Sequence, residues 1–286
     1  ACNEVASKTS GAAADLEKYP LVDSNGYKYL GLRQKFSVLA ELQLKETLEK
    51  CGSEVERIAQ SELTFGQKRR AINTITIPKL EYVFLNTHWS ECSLTKLRKV
   101  ARDIDISIRR LLAKHGFRYE HASVGRLYAS ETSFGLGLNS AQDVLCLSRV
   151  RAAEALVLHS ELESVRKLSG WITSNGGSTP FTELTTIMTE HKIEVRISIS
   201  KGELLYRCEN ENEFCSRTGN FITRNLKQSM EAEHLKKWKA LSVAGMVAND
   251  SALDLYHSGL WIRDGWLSAS AVRNAIGLQE NCALKS

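Results

Sequence analysis

The chain has 286 residues, room for two ordinary domains or one large one. Apolar residues make up 43% and charged residues 25%, a globular balance that excludes a disordered or coiled-coil chain. No apolar run approaches the roughly 18 residues of a membrane span, and three prolines are too few for a linker-rich protein. The net charge of +5 says little by itself, but its placement says more. Residues 64–118 carry 12 Lys/Arg against 4 Asp/Glu, a net of +8, so the remainder of the chain is at −3. A concentrated basic block is the footprint of a polyanion-facing surface. It is equally the footprint of a helical region with a solvated basic face.

In chain order, residues 1–26 are small and polar and end in the turn Asp23-Ser24-Asn25-Gly26. Tyr27-Lys28-Tyr29-Leu30-Gly31-Leu32 reads as a short strand with alternating aromatics. Helical spacing of Leu39, Leu42, Leu48, Val55 and Ile58 predicts a helix over 38–62. Thr64 and Gln67 form a capping-box pattern for a helix carrying Lys68, Arg69, Arg70, Ile72 and Asn73. Its continuation, Ile75-Thr76-Ile77-Pro78, is β-branched with a proline, so a kinked helix and a strand compete there.

Residues 93–115 form a clearer helix, apolar at Leu97, Val100, Ile104, Ile108, Leu111 and Leu112. Its outer face holds Lys96, Arg98, Lys99, Arg102, Arg109, Arg110 and Lys114. Ser140 caps a long helix running to about His159. Asn175-Gly176-Gly177-Ser178 is the expected domain boundary, and Thr179-Pro180 opens the next helix. Alternation of Ile193, Val195, Ile197 and Ile199 suggests one strand or an extended link. Helices return over 221–243 and 268–281.

Catalytic patterns are missing. The sequence has no phosphate loop, no His-Glu-x-x-His, no Gly-x-Ser-x-Gly and no complete dinucleotide fingerprint. Asp103 and Asp105 lie two apart and read as a solvated helix face rather than a metal pair. The seven cysteines are odd in number and widely spaced, which predicts reduced thiols, no disulfide scaffold and an intracellular setting. No signal or transit peptide is read. No cofactor or metal is expected.

Binding chemistry is better represented. Lys68, Arg69 and Arg70 at a helix start combine cations with free backbone N–H groups, a good phosphate contact. Arg109, Arg110 and Lys114 make a second cluster. Tyr27 and Tyr29 share one strand face with Lys28 opposite, placed to stack on a base or to pack on a neighbouring helix.

Several of these stretches, in this order, resemble one family. Tyr27-Lys28-Tyr29-Leu30-Gly31 is similar to the primer-grip hairpin of non-LTR (LINE-like) retrotransposon reverse transcriptases. Val55-Glu56-Arg57-Ile58, Ser61-Glu62-Leu63, Lys68, Ala71-Ile72-Asn73-Thr74, Ile77-Pro78, Tyr82 and Trp89 resemble the thumb that follows it. The likeness continues through Leu97, Arg109-Arg110, His115-Gly116, Arg126-Leu127-Tyr128, Gly135 and Gly137-Leu138. It reappears at Trp261-Ile262-Arg263-Asp264-Gly265-Trp266-Leu267, which resembles the stretch before the family's zinc knuckle.

Departures accompany the likeness. The family's catalytic Asp-Asp motif, which lies upstream of the hairpin, is absent from this sequence, as are the zinc knuckle and endonuclease. Ala129-Ser130-Glu131 and Phe134-Gly135-Leu136-Gly137 replace the family's Leu-Pro-Arg and Gly-Gly-Arg-Gly runs.

The resemblance implies a mainly α fold: a thumb-like helical bundle preceded by a short primer-grip-like β-hairpin and followed by a second helical region. The expected divisions are 1–36, 37–174 and 179–286. The expected function is non-catalytic RNA binding or scaffolding in a ribonucleoprotein assembly. RNA or an RNA–DNA duplex would lie on the 64–118 block, with protein partners in the larger complex and no membrane. The expected contacts are Tyr27, Lys28, Tyr29, Lys68, Arg69, Arg70, Asn73, Arg109, Arg110 and Lys114. Two alternatives stand beside it: the C-terminal fragment of an active reverse transcriptase, and a protein-only interaction module. The compartment is left open among nucleus, cytoplasm and an organelle such as the mitochondrion.

Overall fold

A computed structural model describes residues 27–29, 32–34, 40–87, 92–159, 162–174, 179–209, 213–216 and 219–281. The protein is mainly helical. Strands β1 (Tyr27–Tyr29) and β2 (Leu32–Gln34) pair antiparallel, with Tyr29 opposite Leu32. The side chains of Tyr27, Lys28 and Tyr29 lie outside the described residues, as do Trp89 and the loop 175–178.

Helix α1 (Ala40–Gln60) buries Leu44, Cys51, Val55 and Ile58, one stripe at helical spacing. Helix α2 (Phe65–Ala71) starts at the expected capping box: Gln67 N–H donates to Thr64 Oγ1 at 3.3 Å, and Thr64 N–H to Gln67 Oε1 at 3.0 Å. The contest between strand and kinked helix ends in favour of a helix with a π turn. Residues Ile72–Thr76 are π-helical and lead directly into α3 (Ile77–Asn86), with Pro78 in its first turn. Proline has no N–H to continue the α ladder, and the wider turn absorbs that gap.

Helix α4 (Leu94–Lys114) buries Leu97, Ala101, Ile104, Ile108 and Leu112. Asp105 joins them at 1% exposure, contrary to the expected solvated face. It accepts from Ser140 Oγ at 2.9 Å, Ala141 N–H at 2.8 Å and Gln142 N–H at 3.3 Å. These are the free donors at the start of α6 (Ala141–Leu158), so the carboxylate caps a helix from another element. Between them, α5 (Val124–Tyr128) and a turn containing Phe134 close the first core. Phe134 holds φ +65°, a left-handed conformation secured by the Arg126 guanidinium over its ring and Trp261 against its edge.

Beyond α7 (Glu163–Ser174) and α8 (Pro180–Glu190), the expected second helical region holds more strand than the single one its alternation suggested. It contains an antiparallel sheet in the order β3 (Ile193–Ser198), β4 (Glu203–Cys208), β5 (Cys215–Ser216). Gly202, at φ +63°, makes the left-handed turn that reverses the chain between β3 and β4. Helix α9 (Gly219–Lys239) follows, then the short helices α10 (Met246–Asn249), α11 (Leu255–Ser258) and α12 (Leu260–Asp264), and finally α13 (Ala269–Gln279).

The apolar cores do not follow the expected division at 175–178. One core joins α1–α6 to Trp238, Ile262, Val272 and Ile276 near the C-terminus. The other gathers Val150, Ala153 and Val157 of α6 with α8, β3, β4 and the first half of α9. Helices α6 and α9 therefore run through both cores, and the last forty residues return to the first. Their anchor is Arg126, fully buried, ion-paired with Glu280 at 3.4 Å and stacked 4.9 Å from the Trp238 ring. Among the described residues no helix is long and apolar enough to cross a membrane.

Candidate nucleic-acid interface

The fold uses much of the 64–118 block internally. Lys68 is only 7% exposed, and its Nζ donates to the Ala59 carbonyl at 2.8 Å, near the end of α1. That carbonyl is one of the unpaired acceptors at the negative end of the helix dipole. Burial also draws the ammonium below the usual lysine range. Arg69 is 5% exposed, paired with Glu131 at 3.0 Å and directed at the carbonyls of Leu136 and Ile262, both at 3.4 Å. The Asn73 carboxamide bridges a loop, donating to Gly137 O at 2.8 Å and accepting from Asn139 N–H at 3.0 Å. Lys68 and Arg69, expected to contact phosphate, are instead turned into the interior, and with the half-buried Asn73 they hold α1, α2, α12 and the 136–139 loop together. Arg70 alone of that triplet is exposed.

Other cations are paired at the surface or turned inward. Lys79 meets Glu54, Lys114 meets Glu56 at 2.8 Å, and Arg118 donates to the Ala122 carbonyl. Arg98 makes a two-pronged pair with Glu190 at 2.7 and 2.5 Å. Arg109 donates to the Tyr128 hydroxyl at 3.1 Å. Arg70, Lys99, Arg102 and Arg110 make no ion pair or side-chain hydrogen bond with another described residue. Three of these four are on α4. At about 100° per residue, Lys99 and Arg110 point directly away from the buried stripe, while Arg102 joins Arg98 and Arg109 on one flank.

That flank forms one wall of a cleft of about 800 Å³, at the seam between the two cores. The start of α6 supplies Gln142, Asp143 and Cys146, and the end of α8 supplies Glu190 and His191. The opposite wall is α9 and the turn after it, with Met230, Glu233, His234, Lys237 and Leu241. Several of these groups already have partners: His234 bonds Asp143 at 2.7 Å, and Lys237 pairs with Glu233 at 2.6 Å. The Lys237 contact holds the Glu233 carboxyl below the usual range. Burial lowers the His191 imidazole, raises the Tyr128 hydroxyl and pushes the Cys146 thiol up to about 11.

Burial thus keeps the Cys146 thiol in its poorly nucleophilic protonated form. What remains available is hydrogen-bonding capacity from guanidinium groups, suited to phosphate. Among the described residues no cluster of three or more His, Cys, Asp or Glu side chains is set to hold a metal ion.

Of the residues named from sequence, the structure places Arg109, Arg110 and Lys114 on one helix with Lys99 and Arg102. The α9 wall was not legible beforehand, because it faces α4 only through the long-range packing of α9 on α5 and α6. Arg102 was visible as one of seven cations on the helix. Nothing in the sequence showed which of the seven the fold would pair. No protein-family model, no curated protein and no solved structure matches the chain.

Proposed function

We propose that the chain is a non-catalytic nucleic-acid-binding protein, acting on RNA as a subunit of a ribonucleoprotein assembly. The phosphate backbone would follow the exposed side of α4. The observation that carries this reading is the presence on the solvent side and flank of one helix of Lys99, Arg102 and Arg110, none of which makes an ion pair among the described residues. Cations so placed attract a polyanion and release its counterions on contact. The ordered sequence likeness to reverse-transcriptase thumbs supports the same partner, since a thumb faces a template–primer duplex.

Ultraviolet crosslinking of the native protein tests this. Crosslinked RNA should map to α4 peptides. Crosslinks confined to other segments, or none above background, would refute it.

A protein-docking reading has one observation of its own. Trp266 is 82% exposed on a turn fixed at both ends, where Leu267 O accepts from Phe65 N–H at 3.0 Å and Gly265 touches Gly66. A rigidly presented indole is the kind of group that anchors a protein interface. A partner lost on Trp266→Ala, with RNA binding absent in the unaltered protein, would favour that reading.

A further inference from the structure

We infer that the cleft beneath α4 is a nucleotide subsite, which takes one nucleotide of a bound single strand. The inference rests on the nucleic-acid reading above and adds to it the place and chemistry of a specific contact. After internal pairing, the groups still open to a ligand differ from one wall to the other. On the α4 side are the Arg102 guanidinium and the nitrogens of Arg109 not directed at Tyr128. On the other side are two apolar side chains, Val124 at the start of α5 and Leu241 just past α9. Both line the cleft, and they are 43% exposed each, although apolar groups of this size gain from burial.

A cavity with cationic donors on one wall and two exposed apolar side chains beside already paired polar groups on the other matches a nucleotide. The phosphate meets the guanidinium groups, and the face of the base covers Val124 and Leu241. A volume of about 800 Å³ exceeds what one such unit needs. Glu190 and Glu233 are each paired with a cation, which reduces their repulsion of the phosphate. Glu120 is the one carboxylate in the lining with no ion pair or side-chain hydrogen bond among the described residues, and it can accept from a base amino group.

The test measures binding of a short single-stranded RNA to the full chain across a salt series, for the unaltered protein, Val124→Ala/Leu241→Ala and Lys99→Ala/Arg110→Ala. Both pairs of side chains are exposed, and thermal unfolding checks that each variant folds. The apolar pair should weaken binding about fivefold or more without changing the salt slope, because it removes base contact and no charge. The Lys99/Arg110 pair should flatten the slope. A nucleoside 5′-monophosphate should displace the strand at lower concentration than ribose 5-phosphate or inorganic phosphate.

Unchanged affinity in Val124→Ala/Leu241→Ala, with the slope still reduced by the Lys99/Arg110 pair, overturns the subsite and leaves the helix-face reading standing. Equal competition by ribose 5-phosphate and the nucleotide overturns the base contact. No salt-dependent binding of RNA by the unaltered protein overturns both.

Discussion

Arg69→Ala and Arg102→Ala should separate stability from binding in opposite directions. Removing the Arg69 side chain deletes the ion pair to Glu131 and the donors facing Leu136 O and Ile262 O, all in a site 5% exposed. Each lost hydrogen bond from a charged donor is worth roughly 1–2 kcal/mol, and the orphaned carbonyls and lost stem packing add to the cost. Glu131 is partly solvated and recovers some hydration, which keeps the total near 3 kcal/mol rather than the 5 or so of a fully enclosed pair. In urea, with a slope of about 3 kcal/mol per molar, the midpoint should fall by about 1 M. RNA affinity, measured where the variant is still folded, should stay within about twofold. Arg102→Ala should do the reverse, leaving the midpoint within about 0.2 M while weakening RNA binding several-fold at low salt. An Arg69→Ala protein of normal stability and poor RNA binding would show that its guanidinium reaches the ligand, and would refute the assignment of Lys68 and Arg69 to the interior.

Other consequences follow from the buried polar groups. Asp105→Ala leaves the Ser140 hydroxyl and the Ala141 N–H without their acceptor, while Gln142 N–H keeps Ser140 Oγ, and should cost about 2–3 kcal/mol in denaturant unfolding; Asp105→Asn, which keeps one acceptor oxygen, should cost less. Glu154, buried between α6 and α9 beside Thr223, has its carboxyl pushed up to about 7 by burial. The folded state therefore holds this proton more tightly than the unfolded chain does. Its contribution is fully present below pH 4.5 and is lost as pH rises through 7, up to about 3 kcal/mol in all. Glu154→Gln should remove that part of the decline, and a stability–pH curve unchanged by the substitution would count against it. Gly66→Ala places a methyl group 2.6 Å from the Gly265 Cα, so backbone must move. A loss of about 1–3 kcal/mol is expected in thermal unfolding, together with altered Trp266 fluorescence.

The elements that the sequence revealed were those with local causes. The Thr64–Gln67 box, the Ser140 cap and the Thr179-Pro180 start all lie where side chains a few residues apart satisfy each other's backbone. The 193–198 strand was legible from its alternation. Its partner carries the same signal: Gly202 is followed by Leu204, Tyr206 and Cys208 on one face, which repeats the period.

Long-range pairing was not legible. Asp105 reads as half of a polar i,i+2 pair until α6 brings three donors to it from 35 to 37 residues away. Lys68 and Arg69 read as phosphate ligands because a cationic helix start has that appearance in isolation. The end of α1 and the carbonyls of residues 136 and 262 complete them instead. The count of basic residues thus overstated the available charge. Half or more of the block neutralises the protein's own helix ends, carboxylates and carbonyls, and what faces solvent is narrower and confined largely to α4.

The most direct measurement of the central claim is the salt dependence of RNA binding by the unaltered protein and by Lys99→Ala/Arg102→Ala/Arg110→Ala. Loss of these three phosphate contacts should make the log–log slope roughly 2 to 3 units shallower in the variant than in the unaltered protein. A flat dependence in the unaltered protein, or an equal slope in both, would contradict the assignment of α4 as the nucleic-acid face.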